Sequence, residues 1–248
     1  MSGGTGRVRL DEAVRALATR RPLVIGVDFD GTLAPIVDQP HQARADRRAL
    51  DALAHMARRP DVSVAIVSGR ARRDLENLVG ELPDVMLVAE HGNDMGAELA
   101  PHQDVERLAH DVTHLARSLP GSMVEAKRSS VVFHYRNANA TDLDEHLSKV
   151  LDLATRWPAA TVIAGKKVIE LSLGTRTKGD AISELATEAA GVLYIGDDTT
   201  DETVFESLGP DDIGVKVGEG ETAAGFRVQG VEDVVELLVT LQNSIEGG

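Results

Sequence analysis

The 248-residue sequence contains no cysteine. Neither a disulfide nor a thiolate-bound metal can serve it, and a reducing compartment suits it. It also lacks any apolar stretch near the roughly 20 residues that cross a bilayer. Its first residues, MSGGTGRVRLDEAV, have no apolar core of a secretory signal. These absences lead to the expectation of a soluble, cytoplasmic protein with no membrane partner. Basic residues are scarce: Lys and Arg number 26 against 40 Asp and Glu, a formal net charge of −14. A broad nucleic-acid surface needs clustered cations, so no nucleic-acid partner is expected. The deficit does not exclude a small phosphorylated molecule, which a few local cations and a metal can hold inside an acidic protein. Repeats, low-complexity tracts and coiled-coil heptads are absent too.

What is present is ample apolar material, 42% of residues, arranged in two rhythms. A helix over 10–20 is followed by the apolar run Leu23-Val24-Ile25-Gly26-Val27. Helical spacing of Leu50, Leu53, Ala54 and Ala57 predicts a helix over 43–58, then a strand over 62–67, a helix over 71–79 and a strand over 85–89. This β-α-β-α-β order is that of a parallel sheet. Between about 100 and 174 the order becomes helix-strand-strand-helix-strand-strand, which predicts a separate small α+β layer. After it the first rhythm returns, with helices opening at Lys178, Thr200 and Val231 and strands over 192–196 and 213–217. The reading is an α/β core built from residues 1–99 and 175–248, interrupted by an inserted domain over 100–174.

Four predicted strand ends of that core carry polar clusters: Asp28-Phe29-Asp30-Gly31-Thr32, Ser68-Gly69-Arg70, Glu90-His91-Gly92 and Gly196-Asp197-Asp198-Thr199-Thr200-Asp201-Glu202. Each has an ordinary reading. Asp-Gly is a strong turn dipeptide, acids ahead of a helix cap it, Ser68 and Arg70 could be a cap and a surface charge, and Lys178 could be a solvated lysine. In a doubly wound sheet, however, ligands bind beyond the carboxyl ends of the strands, so all four would converge on one crevice. Hard oxygen ligands on two strand ends then point to Mg²⁺, which takes one or two carboxylates plus waters and phosphate oxygens.

These clusters, in this order, resemble the haloacid-dehalogenase-like (HAD) phosphatase superfamily, whose first signature is D-x-D-G-T. More narrowly the chain resembles the trehalose-6-phosphate phosphatase family, through DFDGTLAPI at 28–36, VSGR at 67–70, EHG at 90–92, VEAK and FHYR within 124–136, GKKVIEL at 165–171, TKG at 177–179 and GDDTTDE at 196–202. That resemblance implies a Rossmann-like core with a parallel sheet and an inserted α+β cap. It casts Asp28 as the nucleophile that forms an aspartyl-phosphate and Asp30 as the acid and base. Ser68 and Lys178 would stabilise the phosphate, and Asp28, Asp30, Asp197 and Asp198 would hold Mg²⁺. Thr32, Gly69, Arg70, Glu90 and His91 are implied on the core side of the substrate, and Glu125, Lys127, His134, Arg136, Lys166 and Glu170 on the cap side. The chain departs from the family pattern after Glu170, reading Leu-Ser-Leu where an Arg-Pro pair commonly follows one apolar residue.

The implied activity is Mg²⁺-dependent hydrolysis of trehalose 6-phosphate in trehalose biosynthesis. Another sugar phosphate stays open, because such motifs do not name the leaving group. A non-catalytic regulatory domain is the other alternative, and the presence of both aspartates of the first motif counts against it. A small-molecule sugar phosphate is the expected partner and a monomer the expected state.

Overall fold

A computed structural model describes residues 3–96, 103–138, 141, 143–165 and 167–247. It divides into two compact units, Met1–Gly96 with Arg176–Gly248, and Ala97–Thr175. In the first, β1 (Leu23–Asp28), β2 (Val62–Val67) and β3 (Val85–Val88) run outward on one side of β1, while β8 (Gly191–Gly196), β9 (Ile213–Val217) and β10 (Phe226–Val228) run outward on the other. The order is β10-β9-β8-β1-β2-β3 and every pair is parallel. The chain reverses its direction of travel across the sheet at β1, which makes β1 the topological switch point.

Both faces of the sheet are covered, so β1 and β8 are buried at every position and read as continuous apolar runs rather than as an alternation. Ile25, Val27, Leu193, Ile195 and Val215 face the cluster containing α1 (Gly3–Leu17), α2 (Arg47–Ala57) and α8 (Val231–Glu246). Val24, Ala65, Val67, Val192 and Tyr194 face the opposite cluster, with α6 (Lys178–Leu185) and α7 (Glu202–Phe205). Each such fully buried Val, Leu or Ile contributes about 1.5–3 kcal/mol relative to exposure, so the strand ends rest on a rigid base. One element escaped the sequence reading: β10 has three residues, too few to show a period, and exists because it pairs with β9.

The second unit is an antiparallel sheet of order β4-β5-β7-β6, formed by β4 (Met123–Ala126), β5 (Ser130–His134), β6 (Thr161–Gly165) and β7 (Val168–Ser172). Val131, Phe133, Ile169 and Leu171 pack with residues of α4 (Val105–Ala116) and α5 (Leu143–Thr155), such as Leu108, Val112, Val150 and Leu153. The alternate positions Val132, His134, Val168 and Glu170 therefore belong to the face away from those helices. The remaining helix of the first unit is α3 (Arg72–Val79). No helix among the described residues is long and apolar enough to cross a membrane.

Candidate active site

Strand β1 ends at Asp28, and the chain leaves it through a tight turn in which Gly31 has a φ of 88°. A Cβ there would meet a carboxylate oxygen of Asp197 at 2.1 Å, so only glycine allows the first-motif loop to approach the loop after β8 this closely. The turn also answers how two aspartates share a strand end. Extended geometry does not persist to Asp30, and the two carboxylates go to different partners.

Asp28 is 4% exposed and its Oδ1 accepts from Lys178 Nζ at 2.7 Å. The same amino group donates to Asp201 Oδ1 at 2.8 Å and lies 3.7 Å from Asp198 Oδ1. Lys178 is delivered by the first position of α6, whose start is fixed by a capping box: Thr177 accepts from the Asp180 N–H, and the Asp180 carboxylate accepts from the Thr177 N–H. Asp201 has no exposed surface, and its Oδ1 also accepts from the Tyr194 hydroxyl at 2.6 Å. Its Oδ2 receives the N–H groups of Asp197 and Asp198, each at 3.0 Å. Removing Lys178 from this set would leave buried carboxylates without their cation, a cost of about 3–5 kcal/mol.

The electrostatics are asymmetric. Burial, reinforced by Asp201, Asp198 and Asp197, pushes the Asp28 carboxyl well above the usual carboxylate range, and Lys178 alone opposes the rise. Burial works against the Lys178 ammonium too, but Asp201 and Asp28 outweigh it and hold its pKa well above the usual value. Burial likewise opposes the charge on Asp198, yet Lys178 and the Thr200 hydroxyl keep its carboxyl well below the usual range. More negative charge than one lysine can balance is therefore gathered here.

This arrangement fits a hard cation. Asp28, Asp197 and Asp201 offer oxygens within 4.8 Å of one another. Asp28 Oδ2 is buried and has no hydrogen-bond partner among the described residues. Both Asp201 oxygens are already engaged, so Asp28 and Asp197 are the carboxylates fitted to receive a cation. Asp198 lies outside this group: its Oδ1 accepts from the Thr200 N–H and hydroxyl at 2.8 and 2.7 Å and from the Asp201 N–H at 3.2 Å, which folds the turn into α7.

Asp30 is held by Arg70 through two parallel bonds, Nε to Oδ2 and Nη2 to Oδ1, both 2.6 Å. Arg70 Nη2 also donates to the Pro40 carbonyl at 3.0 Å. Ser68, 1% exposed, follows β2 directly and accepts from the Arg70 N–H. Thr32 is fully buried, and its hydroxyl has no hydrogen-bond partner among the described residues. Glu90 and His91 sit after β3 with φ of 48° and 56°, a left-handed backbone that non-glycine residues rarely adopt. The His91 ring lies over Gly69, where a Cβ would meet ring atoms at 2.4 Å. Asp28, Thr32, Ser68, Glu90, Lys178 and Asp197 all belong to the carboxyl end of the sheet or the helix start beside it.

In the second unit the register places Glu125 opposite Val132, and Val132 opposite Glu170. Glu170 Oε1 accepts from the Ser130 hydroxyl at 2.5 Å and Oε2 from Lys127 Nζ at 3.0 Å, with both side chains of the ion pair under a tenth exposed. Glu125 Oε2 lies 2.9 Å from His134 Nε2. Arg136 is exposed in the turn after β5, and Lys166 lies outside the described residues.

A family profile described as trehalose-phosphatase matches residues 26–232. This chain belongs to the trehalose-phosphatase family. It is 37% identical over 90% of its length to a bifunctional trehalose-6-phosphate synthase/phosphatase of Thermoproteus tenax, of which it spans 32%. It is 34% identical over 92% of its length to a trehalose-phosphate phosphatase of Mycobacterium marinum, of which it spans 63%. Among solved structures, a trehalose-6-phosphate phosphatase related protein superposes with a TM-score of 0.75 at 27% identity, over 91% of this chain and all of that one. The chain thus spans less than two thirds of the length of both curated relatives.

Three residues bonded to these groups, two in the first unit and one in the second, escaped the sequence reading. Tyr194 hid in the apolar run of β8, where nothing marks its hydroxyl as an anchor for Asp201. Ser130 stands outside every motif of the sequence. Lys216, 4% exposed, did leave a signal, a lysine within the buried strand Ile213–Val217.

Proposed function

We propose that this chain is a Mg²⁺-dependent phosphatase that hydrolyses trehalose 6-phosphate to trehalose and phosphate through an aspartyl-phosphate. The observation that carries the reading is the buried Asp28 carboxylate, with one oxygen on Lys178 and the other without a partner. A structural ion pair would satisfy both.

In the first step an Asp28 oxygen attacks phosphorus and the bond from phosphorus to the sugar oxygen breaks, while Asp30 gives that oxygen its proton. In the second step water attacks the aspartyl-phosphate, Asp30 takes the water's proton, and phosphate leaves as Asp28 is regenerated. Dividing the displacement this way is covalent catalysis, and a positioned proton donor contributes about 10²–10⁴ in rate. When bound at Asp28, Asp197 and the Asp30 carbonyl, Mg²⁺ would keep Asp28 ionised and offset its repulsion of the phosphate dianion. Lys178 and Ser68 meet the equatorial oxygens, and Asp198 and Asp201 keep the loop after β8 in place. Thr32, Gly69, Glu90 and His91 surround the phosphate and its ester oxygen.

Arg70 holds both Asp30 oxygens, so Asp30 exchanges one of those bonds before it transfers a proton. For the sugar, hydrogen-bonding groups come from the second unit: Glu125, Lys127, His134, Arg136, Lys166 and Glu170. The activities of the relatives that the chain resembles support trehalose 6-phosphate over other sugar phosphates. Phosphate release from a panel of sugar phosphates, with Mg²⁺ and with EDTA, tests the reading. Trehalose 6-phosphate is expected to be turned over best and only with metal. A preference for glucose 6-phosphate would move the assignment to another sugar phosphatase, and EDTA-resistant turnover would remove the metal.

A further inference from the structure

Strand β9 is buried at every position, and Ile213, Val215 and Val217 join the core cluster on one face of the sheet. Lys216 belongs to the other face, opposite Gly196 in the register, in a place where an apolar side chain would pack. Its amino group instead donates to the Asp197 carbonyl at 2.8 Å and the Asp198 carbonyl at 3.3 Å, and lies 3.4 Å from Glu202 Oε1. Glu202 Oε2 in turn accepts from the Thr222 hydroxyl and the Ala223 N–H.

Consider the peptide plane that joins Asp197 to Asp198. Its carbonyl is held by Lys216, and its N–H by Asp201 Oδ2 at 3.0 Å. The peptide before it donates its N–H to the same Asp201 oxygen, and the peptide after it turns its carbonyl to Lys216. Three successive peptide planes are held, the middle one from both sides. That leaves Asp197 little freedom except at its own side-chain torsions, which are the torsions that aim its carboxylate.

We propose that Lys216 is a positioning residue that sets the affinity of the site for a divalent cation by fixing the Asp197–Asp198 backbone. The inference rests on the Mg²⁺-dependent reading of the site. Groups that orient a metal's ligands change its affinity by about 10–100-fold when removed. Lys216 does so through the main chain and touches no reacting atom.

The test is calorimetric titration of Mg²⁺ into the metal-free wild type, Lys216→Met and Lys216→Gln, below their unfolding temperatures, alongside phosphate release measured against Mg²⁺ concentration. Lys216→Met is expected to bind Mg²⁺ about 10–100-fold more weakly and to regain most of its turnover when Mg²⁺ is raised in proportion. Lys216→Gln, which keeps a donor for one carbonyl, is expected to fall between. A folded Lys216→Met with Mg²⁺ affinity within twofold of wild type overturns the inference. So does loss of cooperative unfolding in both variants, which would make Lys216 a support of the fold alone. A wild type that binds no Mg²⁺ would instead bring down the reading beneath it.

Discussion

The two units each bury an ion pair between a lysine and a carboxylate, and the pairs are built to opposite ends. In the second unit Glu170 has one oxygen on Ser130 and the other on Lys127, so the charge is answered within the unit. In the first, Lys178 faces Asp28, Asp201 and Asp198 together, and one Asp28 oxygen is left over. A satisfied pair is a device for holding shape, because nothing in it asks for a further ligand. An over-acidic cluster tied to buried strand ends repels itself, and a cation bound there would relieve that repulsion. On the proposed reading, the difference separates a group that would do chemistry from one that would meet a sugar only by giving up bonds it already has.

The largest effect expected from breaking this contrast is at Asp28. Asp28→Asn keeps shape and a hydrogen bond to Lys178 but removes the nucleophile, so turnover should fall on the order of 10⁴-fold or more. Metal-free stability should not fall with it. The Asp28 carboxyl is pushed up by burial and by neighbouring acids, so its ionisation in the fold works against stability once the pH exceeds the ordinary carboxylate value, near about 4. Thermal unfolding in EDTA should therefore show Asp28→Asn gaining on wild type as the pH rises from about 4 toward neutrality. A variant retaining a tenth of wild-type turnover would end the assignment.

Glu170 should behave in the reverse manner. Glu170→Ala takes away the carboxylate that Lys127 bonds, and losing one member of a buried ion pair costs about 3–5 kcal/mol. Stability and turnover of trehalose 6-phosphate should both drop, whereas p-nitrophenyl phosphate, which has no sugar to recognise, should lose much less turnover per folded molecule. The double variant Lys127→Met with Glu170→Leu separates the two roles. Apolar replacement of both partners can be neutral for stability, so the fold should recover while turnover of trehalose 6-phosphate does not. Full recovery of that turnover would reduce the pair to scaffolding.

Much of this was legible in the chain because the core obeys local rules. Apolar runs ending in Asp28, Ser68, Glu90 and Asp197 marked the strand ends, and the parallel order then implied that they converge. The second unit's polar residues, Glu125, Lys127 and Glu170 among them, came from the resemblance alone, since each taken singly is an ordinary surface charge. What could not be read was who bonds to whom. The Arg70 hold on Asp30 crosses 40 residues of sequence and the Lys178 bond to Asp28 crosses 150. The separate roles of Asp198 and Asp201 depend on a turn whose dihedrals no spacing rule gives. Period-two alternation stops short of Asp30, because β1 ends at Asp28 and the chain turns through Gly31.

The smallest expected effect concerns Glu125, and it fixes the sign of the contrast by pH. The hydrogen bond from His134 holds the Glu125 carboxyl below its usual range, against burial and with help from the charge on Lys127. A carboxylate lowered by folding adds stability above its unfolded value, near about 4.3, and that stability is lost as the pH falls through the lower folded value. Glu125→Gln should thus unfold at a slightly lower temperature than wild type at pH 6, with a gap worth less than about 1 kcal/mol because solvent reaches the pair. The gap should close as the pH is taken below about 4, where the Glu125 carboxylate of wild type takes up its proton. Asp28→Asn in EDTA is expected to show its gain only as the pH rises, so melting both variants across the same pH series tests whether the two units store charge with opposite sign. A Glu125→Gln gap that widened in acid would show that the pair with His134 does not hold this carboxylate ionised.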